Sequence, residues 1–249
     1  MKLDFGGWAV ISRRTFDPKK DYRLAMAIYA VDILDNLARD GKIPGIRKNE
    51  AIELLEKISS CITKMRESAM SKHLLLTSNL FRGFNNLLST FISRLGMNWY
   101  KVAKMKDDYV AKLLRFAIFN LRSLGNRLKK YPDDSPIGVV KISYVRILEV
   151  KKYPRNPKVK ILKVTDMEMI YEVATTLDIK EKEVVLFAHT PPIKVNGFIS
   201  EGIILTNENG EPIRGNEESI GQIPSEIPRN IENQLYDHVI KPLEEEFLI

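Results

Sequence analysis

The chain has 249 residues, of which 44% are hydrophobic and 29% are charged, and its net charge is +7. This composition is typical of folded soluble domains and excludes an intrinsically disordered chain. No apolar run approaches the roughly 18 residues needed to cross a bilayer. The N-terminus lacks the basic-then-apolar order of a signal peptide, and the single cysteine, Cys61, cannot form an internal disulfide. We therefore expect a cytoplasmic protein without a membrane segment.

The positive charge is concentrated in the first half of the chain. Residues 1–136 contain 25 Lys and Arg against 14 Asp and Glu, whereas residues 137–249 contain 14 against 18. Within the second half, residues 141–163 are the exception, with eight basic residues and one acidic residue, Glu149. Clustered positive charge favours a polyanionic partner such as nucleic acid.

The first half has the apolar spacing of amphipathic helices. Four stripes, at Leu24–Ala38, Ala51–Met65, Phe84–Leu95 and Val110–Leu128, repeat every three to four residues. They predict a domain over residues 1–131 with about four helices, preceded by a short extended N-terminus.

The second half has the pattern of short strands. Residues 132–136 contain two prolines and predict a linker, where we expect proteolysis to release a β-rich fragment. Short β-branched and apolar runs then follow, at residues 139–150, 159–165, 168–174, 183–188 and 202–206. They predict a five-stranded β-barrel of the oligonucleotide-binding type, or OB-fold, over residues 137–225. A helical stripe closes the chain at residues 228–249, so the predicted fold class is α+β.

A basic loop between the first two predicted strands is the main candidate for RNA binding. It contains Lys151, Lys152, Arg155, Lys158 and Lys160, which are close enough in sequence to contact successive phosphates. Tyr144, Tyr153 and Phe198 offer aromatic faces for unstacked bases. The alternative for the loop is an ordinary solvated turn.

Two segments of this half resemble the EMAP-type tRNA-binding domain found at the C-terminus of many methionyl-tRNA synthetases. The family has a His-Pro-Asn-Ala-Asp-Lys-Leu segment, and residues 153–159 read Tyr-Pro-Arg-Asn-Pro-Lys-Val. Its second motif is matched at Pro192, Lys194, Gly197, Ser200 and Gly202. The resemblance covers about a third of the chain, and the whole chain is similar to standalone archaeal proteins that join a helical half to such a domain.

The resemblance implies a non-catalytic protein that binds tRNA or a similar structured RNA. RNA contacts would fall on the basic loop and on Lys194 and Ser200, although Ser200 could instead hydrogen-bond within its own loop. His189, at the end of an apolar strand, is either a titrating RNA contact or a structural residue. This sequence departs from the family at Tyr153, His189 and Ile203. An aminoacyl-tRNA synthetase and a second copy of the chain are further candidate partners.

A second basic row is predicted along the fourth helix. Lys112, Arg115, Arg122 and Lys129 lie on one flank of its apolar stripe. Such a row is either a solvated face or a second contact for an RNA backbone.

Enzymatic chemistry finds little support in the sequence. His73, His189 and His238 have no neighbours at metal-ligand spacing, and no phosphate-binding loop, dinucleotide fingerprint or nucleophile elbow is present. We expect no catalytic residues, metal or cofactor. The alternative to RNA binding is a protein-interaction scaffold or chaperone-like module that has lost RNA affinity.

Overall fold

The computed structural model describes residues 16–131, 136–224, 228 and 230–247. Its first half is helical, as predicted, but contains six α-helices in place of about four. The helices are α1 (Tyr22–Arg39), α2 (Lys48–Glu67), α3 (Lys72–Thr77), α4 (Asn79–Leu95), α5 (Trp99–Lys106) and α6 (Asp108–Lys130).

The four predicted apolar stripes lie in the four long helices, α1, α2, α4 and α6. The two helices that were not predicted, α3 and α5, are short. Helices α3 and α5 have six and eight residues, too few to show a repeating stripe. Both directly precede a longer helix that starts at a capping side chain. Ser78 accepts the Phe81 amide at the start of α4, and Asp107 accepts the Tyr109 amide at the start of α6. A single extended residue therefore divides each pair of helices.

The second half is an antiparallel sheet of five strands. Its strands are β1 (Lys141–Tyr153), β2 (Asn156–Thr165), β3 (Ile170–Thr175), β4 (Val184–His189) and β7 (Ile203–Ile204), in the order β3-β2-β1-β4-β7. Two further short strands, β5 (Ile193–Val195) and β6 (Phe198–Ser200), form a separate hairpin around the Asn196-Gly197 turn signal, and neither strand was predicted.

The edges of the sheet are not joined by strand pairing in the described residues. The edge strands are β3 and β7, and the chain between β6 and β7 bridges to β3 instead. The Glu201 amide donates to the Glu172 carbonyl at 3.0 Å, and the Ala174 amide donates to Ser200 Oγ at 3.0 Å. The five predicted strands are thus confirmed as one antiparallel sheet, but the sheet is open, and backbone and side-chain hydrogen bonds from Ser200 and Glu201 form a bridge to β3.

The C-terminal segment is helical, as predicted, and packs against both halves. It consists of α7 (Asn230–Leu235), a π-helical turn (Tyr236–Ile240) and α8 (Lys241–Phe247). One apolar cluster combines Met26 of α1 and Phe116 of α6 with residues of the sheet and of this segment. The two halves therefore share a core, besides having one core each.

Some predicted features fall on residues outside the described part. The extended N-terminus lies almost wholly in residues 1–15, and the linker lies mostly in residues 132–135. No helix in the described ranges has both the length and the apolar character of a membrane-spanning segment.

Candidate nucleic-acid interface

Two segments about 40 residues apart in sequence meet on the surface of the sheet domain. Tyr153, at the end of β1, donates its hydroxyl hydrogen to the carbonyl of Asn196 in the β5–β6 turn at 2.8 Å. The rings of Tyr153 and Phe198 also make an edge-to-face contact at 6.3 Å between centroids. The fold therefore joins the basic residues around the β1–β2 turn to the segment that contains Lys194. The predicted basic loop is mostly strand, because β1 contains Lys151 and Lys152, β2 contains Lys158 and Lys160, and only Arg155 lies in the turn.

The β5–β6 hairpin has the turn geometry that Asn-Gly pairs favour. Asn196 and Gly197 both have positive φ, at 52° and 87°, and Val195 pairs with Phe198 across the turn. A Cβ atom on Gly197 would lie 2.8 Å from Arg155 Nη1. Glycine thus allows the turn backbone to approach the Arg155 guanidinium, which belongs to the other basic segment.

The basic side chains at this surface fall into two groups. Lys151 pairs with Glu149 at 2.5 Å, and Lys160 pairs with Asp178 at 2.7 Å. The other cations are exposed and have no carboxylate partner within the described part of the chain: Lys152, Arg155, Lys158 and Lys194. These four are the charges available to a phosphate backbone, because their attraction for anions is not already neutralised.

The three aromatic residues proposed for base stacking, Tyr144, Tyr153 and Phe198, occupy different environments. Tyr153 and Phe198 are half-buried, and their rings contact each other next to the β5–β6 turn. Tyr144 instead packs on the core shared by the two halves, and its carbonyl accepts the Gly221 amide. Of the three, only Tyr153 and Phe198 remain candidates for base stacking.

The prediction that the basic row on α6 lies on the surface is wrong for Lys112 and Arg115. Lys112 and Arg115 are 1% and 3% exposed, because this end of α6 faces the sheet. Arg115 pairs with Glu201, donates to the Ile170 carbonyl at 3.0 Å and lies over the Tyr100 ring at 4.1 Å. Neither side chain can reach RNA in this structure.

The last two members of that row are on the surface. Arg122 and Lys129 are exposed, and Arg122 lies over the Phe119 ring at 5.6 Å. Arg122 and Lys129 thus remain candidates for a second RNA contact.

His189 is a core residue and not a surface contact. It ends β4 and packs against the rings of Phe116, Tyr171 and Phe187, and its Nε2 has no hydrogen-bond partner among the described residues. Burial, reinforced by the charges of Arg115 and Lys141, lowers the pKa of His189 to about 3. The imidazole is therefore neutral at physiological pH and shielded from RNA.

Ser200 is also buried, which favours the structural alternative given above. Its hydroxyl accepts the Ala174 amide at 3.0 Å and donates to the Gly202 carbonyl at 2.9 Å. A Cβ atom on Gly202 would overlap the Ala188 carbonyl oxygen, so glycine is needed for this close approach. The motif residues Ser200 and Gly202 thus form part of the link between β3 and the chain that leads into β7.

One residue at the interface was missed by the sequence analysis. The ring of Tyr109, on α6, lies 5.2 Å from Lys194 Nζ. No pattern links two residues so far apart in sequence, so only the packing of α6 on the β5–β6 hairpin could identify the contact.

Within the described ranges, no three His, Cys, Asp or Glu side chains are grouped so as to hold a metal ion.

Comparison with known proteins concerns the helical half. Residues 15–130 match the model of a family described as an alpha helical domain, which is just under half of the chain. The match does not extend to the strands, on which the resemblance to tRNA-binding domains rests. No curated protein matches the chain.

Proposed function

We propose that this chain is a non-catalytic RNA-binding protein that recognises tRNA or a similarly structured RNA through its β half. The observation that carries the proposal is the Tyr153–Asn196 hydrogen bond, which brings the basic residues around the β1–β2 turn next to the hairpin that contains Lys194. Lys152, Arg155, Lys158 and Lys194 are exposed, and no carboxylate of the described residues pairs with them. Cations of this kind bind RNA by displacing counterions from its phosphates.

The strand arrangement supports an OB-type barrel as the scaffold of this surface. Strand β1 pairs with β4 through Lys141–Arg146 and with β2 from Arg146 onward, with a register shift between Ile147 and Glu149. Such irregularities bend a strand, so that one strand can serve two parts of a sheet. The side-chain bridge between Ser200, Glu201 and β3 then covers the remaining gap, as in a partly open barrel.

A protein-interaction scaffold is the second candidate, and one feature favours it. A cleft of about 730 Å³ lies between α5 and the β2–β3 turn. Met167 and Ile170 on its wall are 69% and 52% exposed. Met167 has a φ of 73°, a conformation that costs a non-glycine residue on the order of 1 kcal/mol and often marks functional sites. An apolar protein segment could pack there.

The salt dependence of tRNA binding separates the two functions. We expect bulk tRNA to bind the full chain at about 50 mM salt, with a log–log slope of roughly −3 to −4, since each phosphate contact adds a little less than one. The matched control is a variant with Lys152, Arg155, Lys158 and Lys194 all changed to Ala, in which most of the slope should vanish. A flat response, or no binding at low salt, would favour the scaffold.

A further inference from the structure

The first turns of α6 contact the β5–β6 hairpin at several points. Lys112 Nζ donates to the Ile199 carbonyl at 3.0 Å and lies 5.1 Å from the Phe198 ring. Tyr109, about one turn earlier on α6, has its ring 5.2 Å from Lys194 Nζ. The hairpin that contributes Lys194 to the basic surface therefore rests on the helical half.

Lys112 is fixed in place by the carboxylates around it. It pairs with Glu172 at 2.7 Å and with Asp108 at 3.0 Å. Burial alone would raise the pKa of Glu172. The hydrogen bond and charge of Lys112, together with Lys104, outweigh this effect, so the pKa of Glu172 lies below its usual value. A buried cation needs such partners, and they leave the Lys112 ammonium oriented towards the Ile199 carbonyl.

Apart from these contacts, the β5–β6 hairpin is held at the end of β6, where Ser200 Oγ accepts the Ala174 amide of β3, and at its turn by Tyr153. Its two strands have three residues each and form a sheet of their own. A two-stranded hairpin is at best marginally stable in water unless it packs on something else. Its position relative to the β1–β2 turn therefore depends on α6, on the link from Ser200 to β3 and on the bond from Tyr153 to Asn196.

We infer that Lys112 and Tyr109 are positioning residues for the RNA surface, and that the helical half sets the place of Lys194 through them. The inference rests on the proposed RNA binding. It gives the helical domain a role in recognition without direct contact between these two residues and RNA. Lys112 acts through the hairpin backbone, and Tyr109 acts through Lys194 itself.

A double-mutant cycle on tRNA affinity tests this coupling. Lys112→Met should weaken binding roughly fivefold, about as much as Lys194→Ala, the equivalent of one modest contact. In the Lys194→Ala background, Lys112→Met should add almost nothing, because the contact it positions is already gone. Additive losses, or an unchanged affinity for Lys112→Met, would overturn the inference.

The matched control is Lys104→Met. Lys104 also pairs with Asp108 and Glu172, both at 3.4 Å, but its side chain is 42% exposed and no contact joins it to the hairpin among the described residues. We expect its affinity for tRNA to stay near that of the wild type. If Lys112→Met does not fold, Tyr109→Leu provides the same cycle without removing a buried charge.

Hydrogen exchange of the free protein separates this inference from the proposed function. Amides of residues 193–200 should exchange faster in Lys112→Met than in Lys104→Met, while the five-stranded sheet stays protected. Unchanged exchange in the hairpin would overturn the positioning role even if tRNA binds. Faster exchange in a protein that binds no tRNA would overturn the RNA proposal, and with it the role of Lys112 in recognition.

Discussion

Arg115 of α6 and Glu201, which follows β6, form an ion pair in which both side chains are buried, and this pair joins the helical half to the sheet. Arg115 Nε donates to Glu201 Oε1 at 2.9 Å, and Glu201 Oε2 accepts the Glu172 amide at 3.0 Å. The basic row on α6 is thereby divided into a buried, structural part and an exposed part.

Charge reversal at Arg115 should destabilise the protein far more than reversal at Arg122. Arg115→Glu leaves Glu201 unpaired in a buried site and adds a second carboxylate, which we expect to cost at least about 3 kcal/mol. Arg122→Glu on the exposed part should change the free energy of unfolding by less than about 0.5 kcal/mol. Urea unfolding monitored by circular dichroism measures both, and similar losses would contradict the division of α6.

The exposed residues of the α6 row, Arg122 and Lys129, can be tested for RNA contact, because substitutions on the surface should leave the protein folded. We expect Arg122→Glu with Lys129→Glu to weaken tRNA binding less than Lys158→Ala does, because the main basic surface lies on the sheet domain. Thermal melts should accompany the binding curves. If the double reversal has the larger effect in a protein of unchanged stability, the helical half is the principal RNA surface.

Two lysines of the β1–β2 region should differ in their contribution to RNA binding. Lys158 is exposed without a carboxylate partner in the described part of the chain, whereas Lys160 pairs with Asp178 at 2.7 Å. Lys158→Ala should weaken binding across RNA sequences and reduce the salt slope by about one. Lys160→Ala should change the slope less, since Asp178 already offsets its charge. An equal or larger effect at Lys160 would show that this ion pair opens on binding.

Cleavage of the predicted linker should not separate the two halves, contrary to the expectation from sequence. Met26 and Phe116 pack in one core with the sheet and the C-terminal helical segment, so separation would expose apolar surface to water. After proteolysis within residues 131–136, we expect two bands on a denaturing gel but one species in native size-exclusion chromatography. A stable, monomeric β-rich fragment of residues 137–249 would refute the shared core.

Burial of His189 should make the protein less stable as the pH falls below about 6.5. The pKa of His189 is about 3 in the folded protein and near 6.5 when unfolded, so the unfolded chain binds the extra proton. The loss should approach about 1.4 kcal/mol per pH unit between these two values. Urea unfolding at pH 5 and pH 7 should show this loss, and His189→Phe should largely remove it. An equal pH dependence in that variant would assign the effect to other groups.

The sequence by itself determined the secondary structure of each half and the place where its period changes. The stripes on the long helices and the short apolar runs of β1 to β4 depend on neighbouring residues, so a local pattern predicted them. The Asn196-Gly197 turn was predictable for the same reason, since both residues tolerate the positive φ that it needs. Short elements such as α3, α5 and β5 carry too few residues for a period.

Only the tertiary structure decided which polar residues are available for binding. Lys112 and Lys129 occupy the same predicted flank of α6, yet Lys112 is buried against Glu172 of β3 and Lys129 is exposed. Likewise, Ser200 and Lys194 belong to one motif, but Ser200 turns inward to Ala174 while Lys194 remains outside. Burial depends on what packs across each residue, and that partner is distant in sequence.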